Sequence, residues 1–113
     1  MVERKGKSDC FSSFSGDNYR REKEKIERAK ELGWRYILVV EATASEIRKG
    51  CQYYRGGQWH QVQKDGLSQL RQLLTISERY KIELSLCNGK EDAAMFTQEL
   101  LYSYVRNYQK ESA

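Results

Sequence analysis

Apolar residues in this chain gather into short blocks separated by long charged stretches. The most continuous block is Tyr36-Ile37-Leu38-Val39-Val40, rich in β-branched residues and ended by Glu41. A strand that is apolar at every position must be covered on both faces, so this block predicts a central strand between helices. Ile82 to Leu86 predicts a second strand, and residues 2–5 read as the end of another. Helical spacing takes over elsewhere. Leu67, Leu70, Leu73, Leu74 and Ser77 predict a helix over about residues 65–80. Ala93, Phe96, Thr97, Leu100, Leu101, Tyr104 and Tyr108 predict an amphipathic helix running to about residue 108.

Shorter elements fill the gaps. Ser8 is placed to cap a helix from Asp9 to about Ser15, with Phe11 and Phe14 turned inward, and Gly16 breaks it. Asp17 or Asn18 then caps a helix from Tyr19 to Leu32, stopped by Gly33. Its apolar positions, Tyr19, Ile26, Ala29 and Leu32, make a thin stripe, so most of its surface is expected to be solvated or to face a charged partner. Ala44 to Lys49 predicts a short helix, and Gly50 to Gln58, with Gly56-Gly57, an exposed loop. Strands alternating with helices place the chain in the α/β class, with helices packed on a small sheet.

Length and composition narrow the setting. The 113 residues suffice for one domain, 1–113, with one core. At 39% hydrophobic and 32% charged the chain reads as soluble and globular. No apolar run approaches the roughly 20 residues that span a bilayer, and charge from residue 3 onward argues against a signal peptide. Cys10, Cys51 and Cys87 are widely spaced, and His60 is the only histidine. That pattern disfavours a zinc site and a hydrolase triad and fits reduced thiols in a cytoplasmic protein. A net charge of +4 permits a nucleic-acid partner without requiring one.

The chemistry concentrates at Val2-Glu3-Arg4-Lys5 and Asp9. On a strand, Glu3 and Lys5 leave one face and Arg4 the other. A carboxylate beside a lysine suits metal-assisted phosphodiester hydrolysis: the acid holds a divalent ion and the lysine positions or polarises the attacking water. The plainer alternative is a solvated charged terminus. Asp9 stands where it can pair with Arg4 or face the same site, and Arg20 and Arg21 can meet phosphates. Glu41, at a strand end, is a further candidate. Trp34, Tyr36, Tyr53, Tyr54 and Trp59 can stack on unpaired bases, although packing is the commoner role of such rings. Arg48, Lys49 and Arg55 join Tyr53 and Tyr54 in a basic–aromatic loop. Tyr102, Tyr104 and Tyr108 are expected in the core or in a subunit interface.

Val2-Glu3-Arg4-Lys5-x-x-x-Asp9 resembles the VERKxxxD signature of XPF-type structure-specific endonucleases, a branch of the PD-(D/E)xK nucleases. Phe11-Ser12-Ser13 followed by Gly16, Val39-Val40-Glu41-Ala42, Ser77-x-Arg79-Tyr80, and the Gly89-to-Tyr104 helix with Ala93-Ala94 are similar to successive elements of that family. The last two are most similar to single-domain bacterial and phage members. The resemblance implies a restriction-endonuclease-like three-layer sandwich, a central sheet flanked by helices, that is N-terminally incomplete. The family's opening acidic strand, and an aspartate in a Gly-Asp-Tyr-like segment, would precede Met1. It implies Glu3 as a metal ligand, Lys5 as the catalytic lysine, and Arg4 and Asp9 as further site residues. It also implies DNA contacts from Arg4, Arg20 and Arg21, Mg²⁺ or Mn²⁺ as cofactor, branched or flap DNA as substrate, and a homodimer through late helices. Many relatives carry Gly-Arg where this chain has Gly16-Asp17, and these 113 residues hold no helix-hairpin-helix domain of the kind the eukaryotic repair members carry. With one carboxylate in the motif, a second expectation stands beside the first: a nuclease-fold module that binds DNA or a partner chain without cutting.

Overall fold

Ile37–Val40 is buried at all four positions, and the rest of the chain is arranged to cover it. The computed structural model describes residues 1–112. In order, the elements are β1 (Val2–Lys5), α1 (Lys7–Ser13), α2 (Gly16–Glu31), β2 (Ile37–Val40), α3 (Ala44–Arg48), β3 (Gln52–Arg55), β4 (Gln58–Gln61), α4 (Gly66–Tyr80), β5 (Glu83–Leu86) and α5 (Gly89–Ser112). β1, β2 and β5 form a parallel sheet in that order, with Val2 opposite Ile37 and Ile37 opposite Glu83. β3 and β4 form a separate antiparallel ribbon.

The layers follow from this order. Parallel neighbours need crossovers, crossovers are right-handed, and each new strand adds on the same side of the last. Both crossovers therefore land on one face of the sheet. Leu38 and Val40 point into a core built with Cys10, Phe11 and Phe14 of α1, Ile26 and Ala29 of α2, Ile47 of α3, and Leu73 and Ile76 of α4. Ile37 and Val39 point the other way, where α5 covers them with Ala93, Phe96 and Leu100. The chain is a mixed α/β domain with a small sheet flanked by helices.

Local chemistry sets the boundaries. Thr43 and Glu46 close a capping box on α3, the Thr43 side chain accepting from the Glu46 N–H and the Glu46 carboxylate accepting from the Thr43 N–H. Asp65 caps α4, which ends at Lys81 in the left-handed region at φ 54°. Gly66 opens α4 against the carbonyls of Ile47 and Arg48, where a β-carbon would collide with backbone. α1 begins at Lys7 with Gly6 as its cap, two residues before the Asp9 start expected from Ser8. α2 begins at Gly16 rather than Tyr19, because Ser15 turns extended and Gly16 accepts φ 55°.

Three expectations are corrected. Residues 50–58 are not a loop: Gly56 and Gly57, at φ 63° and 78°, form a two-residue turn joining β3 to β4. Both positions need a positive φ, which glycine takes without strain, and this turn's twist matches the strands it joins. On α4 the buried stripe is Gly66, Gln69, Leu73 and Ile76, while Leu74 is exposed. The tyrosines of α5 do not enter the core; Tyr102, Tyr104 and Tyr108 are each more than half exposed, because the helix outruns the three-stranded sheet beneath it.

All three cysteines are free and buried. Burial pushes the Cys10 thiol up to about 12, against the pull of Lys5 and Lys64. Thiolate is the reactive form, so Cys10 is inert at neutral pH. Native protein at pH 8 is expected to take up iodoacetamide at none of the three thiols over minutes, and at all three in guanidinium, as read by mass spectrometry. Rapid native labelling at Cys10 would contradict this packing.

Candidate functional site

Alternation along β1 turns Glu3 and Lys5 to the face covered by α1 and α2, and Val2 and Arg4 to the face covered by α5. Contacts bear this out. The Lys5 ammonium donates to Ser13 Oγ and to Glu22 Oε1, both at 3.1 Å, and Lys5 is only 9% exposed. The Lys25 ammonium donates to Glu3 Oε1 at 2.7 Å and lies 3.6 Å from Glu22 Oε1. Lys5, Glu22, Lys25 and Glu3 thus alternate in sign, two from β1 and two from one stripe of α2.

The stripe explains the arrangement. Glu22 lies four residues before Ile26, and Ile26 three before Ala29, so all three share the inward side of α2. Glu22 is itself buried, and its Oε2 has no hydrogen-bond partner. A lone charge in this position costs several kcal/mol, whereas a close pair offsets most of that penalty. Lys25 is half-buried. Its bond to Glu3 raises it above the ordinary lysine range, helped by Glu22 and opposed by burial. Because the folded value is raised, the stabilisation from this contact is complete at neutral pH and is lost only as pH climbs past the ordinary value of 10.5.

The remaining predicted residues lie elsewhere. Arg4 extends on the opposite face, its guanidinium 3.8 Å from Glu41 Oε2, too far for a hydrogen bond. Glu41, on the odd-numbered side with Ile37 and Val39, therefore joins Arg4 and not Glu3. Asp9 is exposed on α1 and forms no ion pair among the described residues, so the expected Asp9–Arg4 contact is absent. Arg20 and Arg21 are exposed on α2. Tyr36 is buried, which removes it from the stacking candidates, while Trp34, Tyr53, Tyr54 and Trp59 stay exposed.

Sequence reasoning missed Ser13, Glu22 and Lys25. The run from Arg20 to Lys25 reads as a solvated face, yet the spacing of Glu22 from Ile26 and Ala29 carried the signal.

β1 is an edge strand. The carbonyls of Met1 and Lys5 accept from the N–H groups of Ile37 and Glu41, so those of Val2 and Arg4 point away from β2. The motif therefore offers one carboxylate, Glu3, and the outward main-chain carbonyls of Val2 and Arg4. No group of three or more His, Cys, Asp or Glu side chains that can hold a metal ion is found among the described residues. The Lys25 ammonium already neutralises Glu3. As the side chains stand, the donor set is incomplete for a divalent ion. No helix among the described residues is long and apolar enough to cross a membrane.

No family model, curated protein or solved structure matches the chain.

Removing Glu22 alone is expected to cost about 3–5 kcal/mol, because it leaves Lys5 buried without a counter-charge. Glu24→Ala, on the exposed side, is expected to change stability by less than about 0.5 kcal/mol. Urea denaturation of Glu22→Ala, Glu24→Ala and the double variant Lys5→Met/Glu22→Leu tests this. The apolar double variant should recover most of the loss. A double variant as unstable as Glu22→Ala would show that the pair is not what matters there.

Proposed function

We propose that this chain is the nuclease domain, or most of one, of an XPF-type endonuclease acting on branched or flap DNA. The observation that supports it is the placement of Glu3 and Lys5. They leave one face of a parallel edge strand two residues apart, the placement of a carboxylate–lysine pair serving phosphodiester hydrolysis. The α/β arrangement with helices on both faces of the sheet agrees with a restriction-endonuclease-like sandwich. Glu3, with the Val2 or Arg4 carbonyl, would supply part of the coordination of Mg²⁺ or Mn²⁺, ions that keep several waters and use one or two carboxylates with phosphate oxygens. Such an ion would activate water and neutralise charge on the phosphate. Lys5, held by Glu22 and Ser13, would present a fixed positive charge beside it. Arg20 and Arg21 lie exposed on α2 for phosphate contacts.

A second reading, a nuclease-fold module that binds DNA or a partner chain without cutting, is favoured by one observation. Lys25 sits 2.7 Å from Glu3, where a metal would compete for the carboxylate. Late-helix dimerisation belongs to either reading: Leu101, Tyr102, Tyr104, Val105 and Tyr108 leave the distal half of α5 exposed.

Incubation with flap, Y-junction and plain duplex DNA in Mg²⁺ or Mn²⁺ separates the readings. Under the first, branched substrates are cut, and Glu3→Ala and Lys5→Ala each slow cutting by about 100-fold or more. Circular dichroism must accompany Lys5→Ala, which strips Glu22 of its buried partner. An unchanged rate in either folded variant removes that residue's assigned role. Retained DNA binding with no cutting by the unaltered chain supports the second reading. Sedimentation equilibrium is expected to show a dimer that Tyr104→Glu dissociates; a strict monomer at high concentration excludes the late-helix interface.

A further inference from the structure

The β3–β4 ribbon is exposed at every one of its eight strand positions. Pairing across it is regular: Tyr53 opposite His60, Tyr54 opposite Trp59, Arg55 opposite Gln58. Alternation gives each face an aromatic pair. On one, the Tyr53 and His60 rings stack with centroids 5.2 Å apart; on the other, Tyr54 and Trp59 meet edge to face at 5.4 Å. Trp59 is 69% exposed and Tyr54 62%. A two-stranded ribbon with no covered face is marginally stable in water, so retaining four rings on it needs another explanation than packing.

Its surroundings indicate what the rings meet. From Ile47 through Lys64 the sequence carries Arg48, Lys49, Arg55 and Lys64 and no Asp or Glu, in a chain holding 16 acidic residues. Arg48, Lys49 and Arg55 are exposed and enter no ion pair among the described residues. Between Gln52 and Gln61 there is no Leu, Ile, Val or Met, only rings, glutamines, glycines and Arg55. Tyr, Trp and Arg also serve protein interfaces, so the rings alone do not choose the partner; the absence of any acid from residue 47 to residue 64 selects a ligand that is itself negative. Ring faces flanked by cations and amide donors suit unpaired bases on a phosphate backbone, where each stack is sequence-tolerant. An open groove leads from the ribbon base, at Tyr53 and Gln61, to Phe14, Ser15 and Gly16, where α1 passes into α2.

We infer that the β3–β4 ribbon is a binding arm for single-stranded DNA, with Trp59 and Tyr53 as stacking platforms on its two faces and Arg48, Lys49 and Arg55 engaging the backbone. This rests on DNA being the ligand and adds which part of a branched substrate the chain grips. It needs neither the metal nor cutting.

Trp34 and Trp59 are the only tryptophans, so the full chain carrying Trp34→Phe reports on Trp59 alone. Titration in EDTA with a labelled thymidine oligonucleotide is followed by label anisotropy and tryptophan emission, beside a duplex of the same length. Binding of the single strand is expected to quench Trp59. In the otherwise unaltered chain, Trp59→Ala and Tyr53→Ala should each weaken single-strand binding by about 5- to 100-fold, the range for a lost base stack, and duplex binding by less than about twofold. Arg55→Gln should flatten the salt dependence of single-strand binding. Single-strand binding that leaves Trp59 emission unchanged, or equal losses on both DNAs, overturns the single-strand arm and leaves the DNA reading standing. Binding of neither DNA overturns the DNA reading as well. Quenching without cutting in Mg²⁺ upholds the arm while counting against the nuclease reading.

Discussion

A strand that is apolar at every position cannot face water on either side, and β2 is that strand. Its burial organises the domain. Right-handed crossovers place α1, α2 and α4 on one face of the sheet, so the other face stays bare until α5 returns across Ile37 and Val39. The same geometry fixes β1 at the sheet edge, with Glu3 and Lys5 facing α2 and Arg4 facing the opposite layer.

Once Lys5 is carried beneath α2, an elementary electrostatic requirement applies. An ammonium group that has left water must meet a carboxylate or lose its charge. Glu22 meets it, and the second turn of α2 becomes a polar seam within an otherwise apolar packing face. Lys25 extends that seam to Glu3. The charges that carry the proposed chemistry thus also join β1 to α2, so a substitution there acts on stability and on function together. A readout of folding is needed before any lost activity is assigned to chemistry.

The ribbon and the distal half of α5 are the two places where large rings remain in water, and they differ in kind. On α5 the rings stand beside Leu101 and Val105, an apolar stripe suited to another apolar surface. On the ribbon they stand among glutamines and cations. Identical ring types therefore suggest different partners because of their neighbours.

Much of this domain was legible along the chain. The apolar run at 36–40, the helical spacing of residues 67–77 and 93–100, and the alternation of element types define the α/β class; Val2 through Lys5 already assigns Glu3 and Lys5 to one face by period alone. Those signals are local, each depending on residues a few positions apart. The ribbon was also local, since Gly56-Gly57 between two four-residue runs marks a tight hairpin, but its polar strands lack the apolar alternation by which strands are recognised. What only the tertiary structure decided was which charges meet. Glu22 and Lys25 lie about twenty residues from β1 in a run that reads as solvent-facing, and Arg4 finds Glu41 rather than Asp9. Ion pairs are set by the stacking of α2 over the sheet and by the rotation of its inward stripe. Neither is a property of any short segment, so charge partnership had to wait for the folded chain.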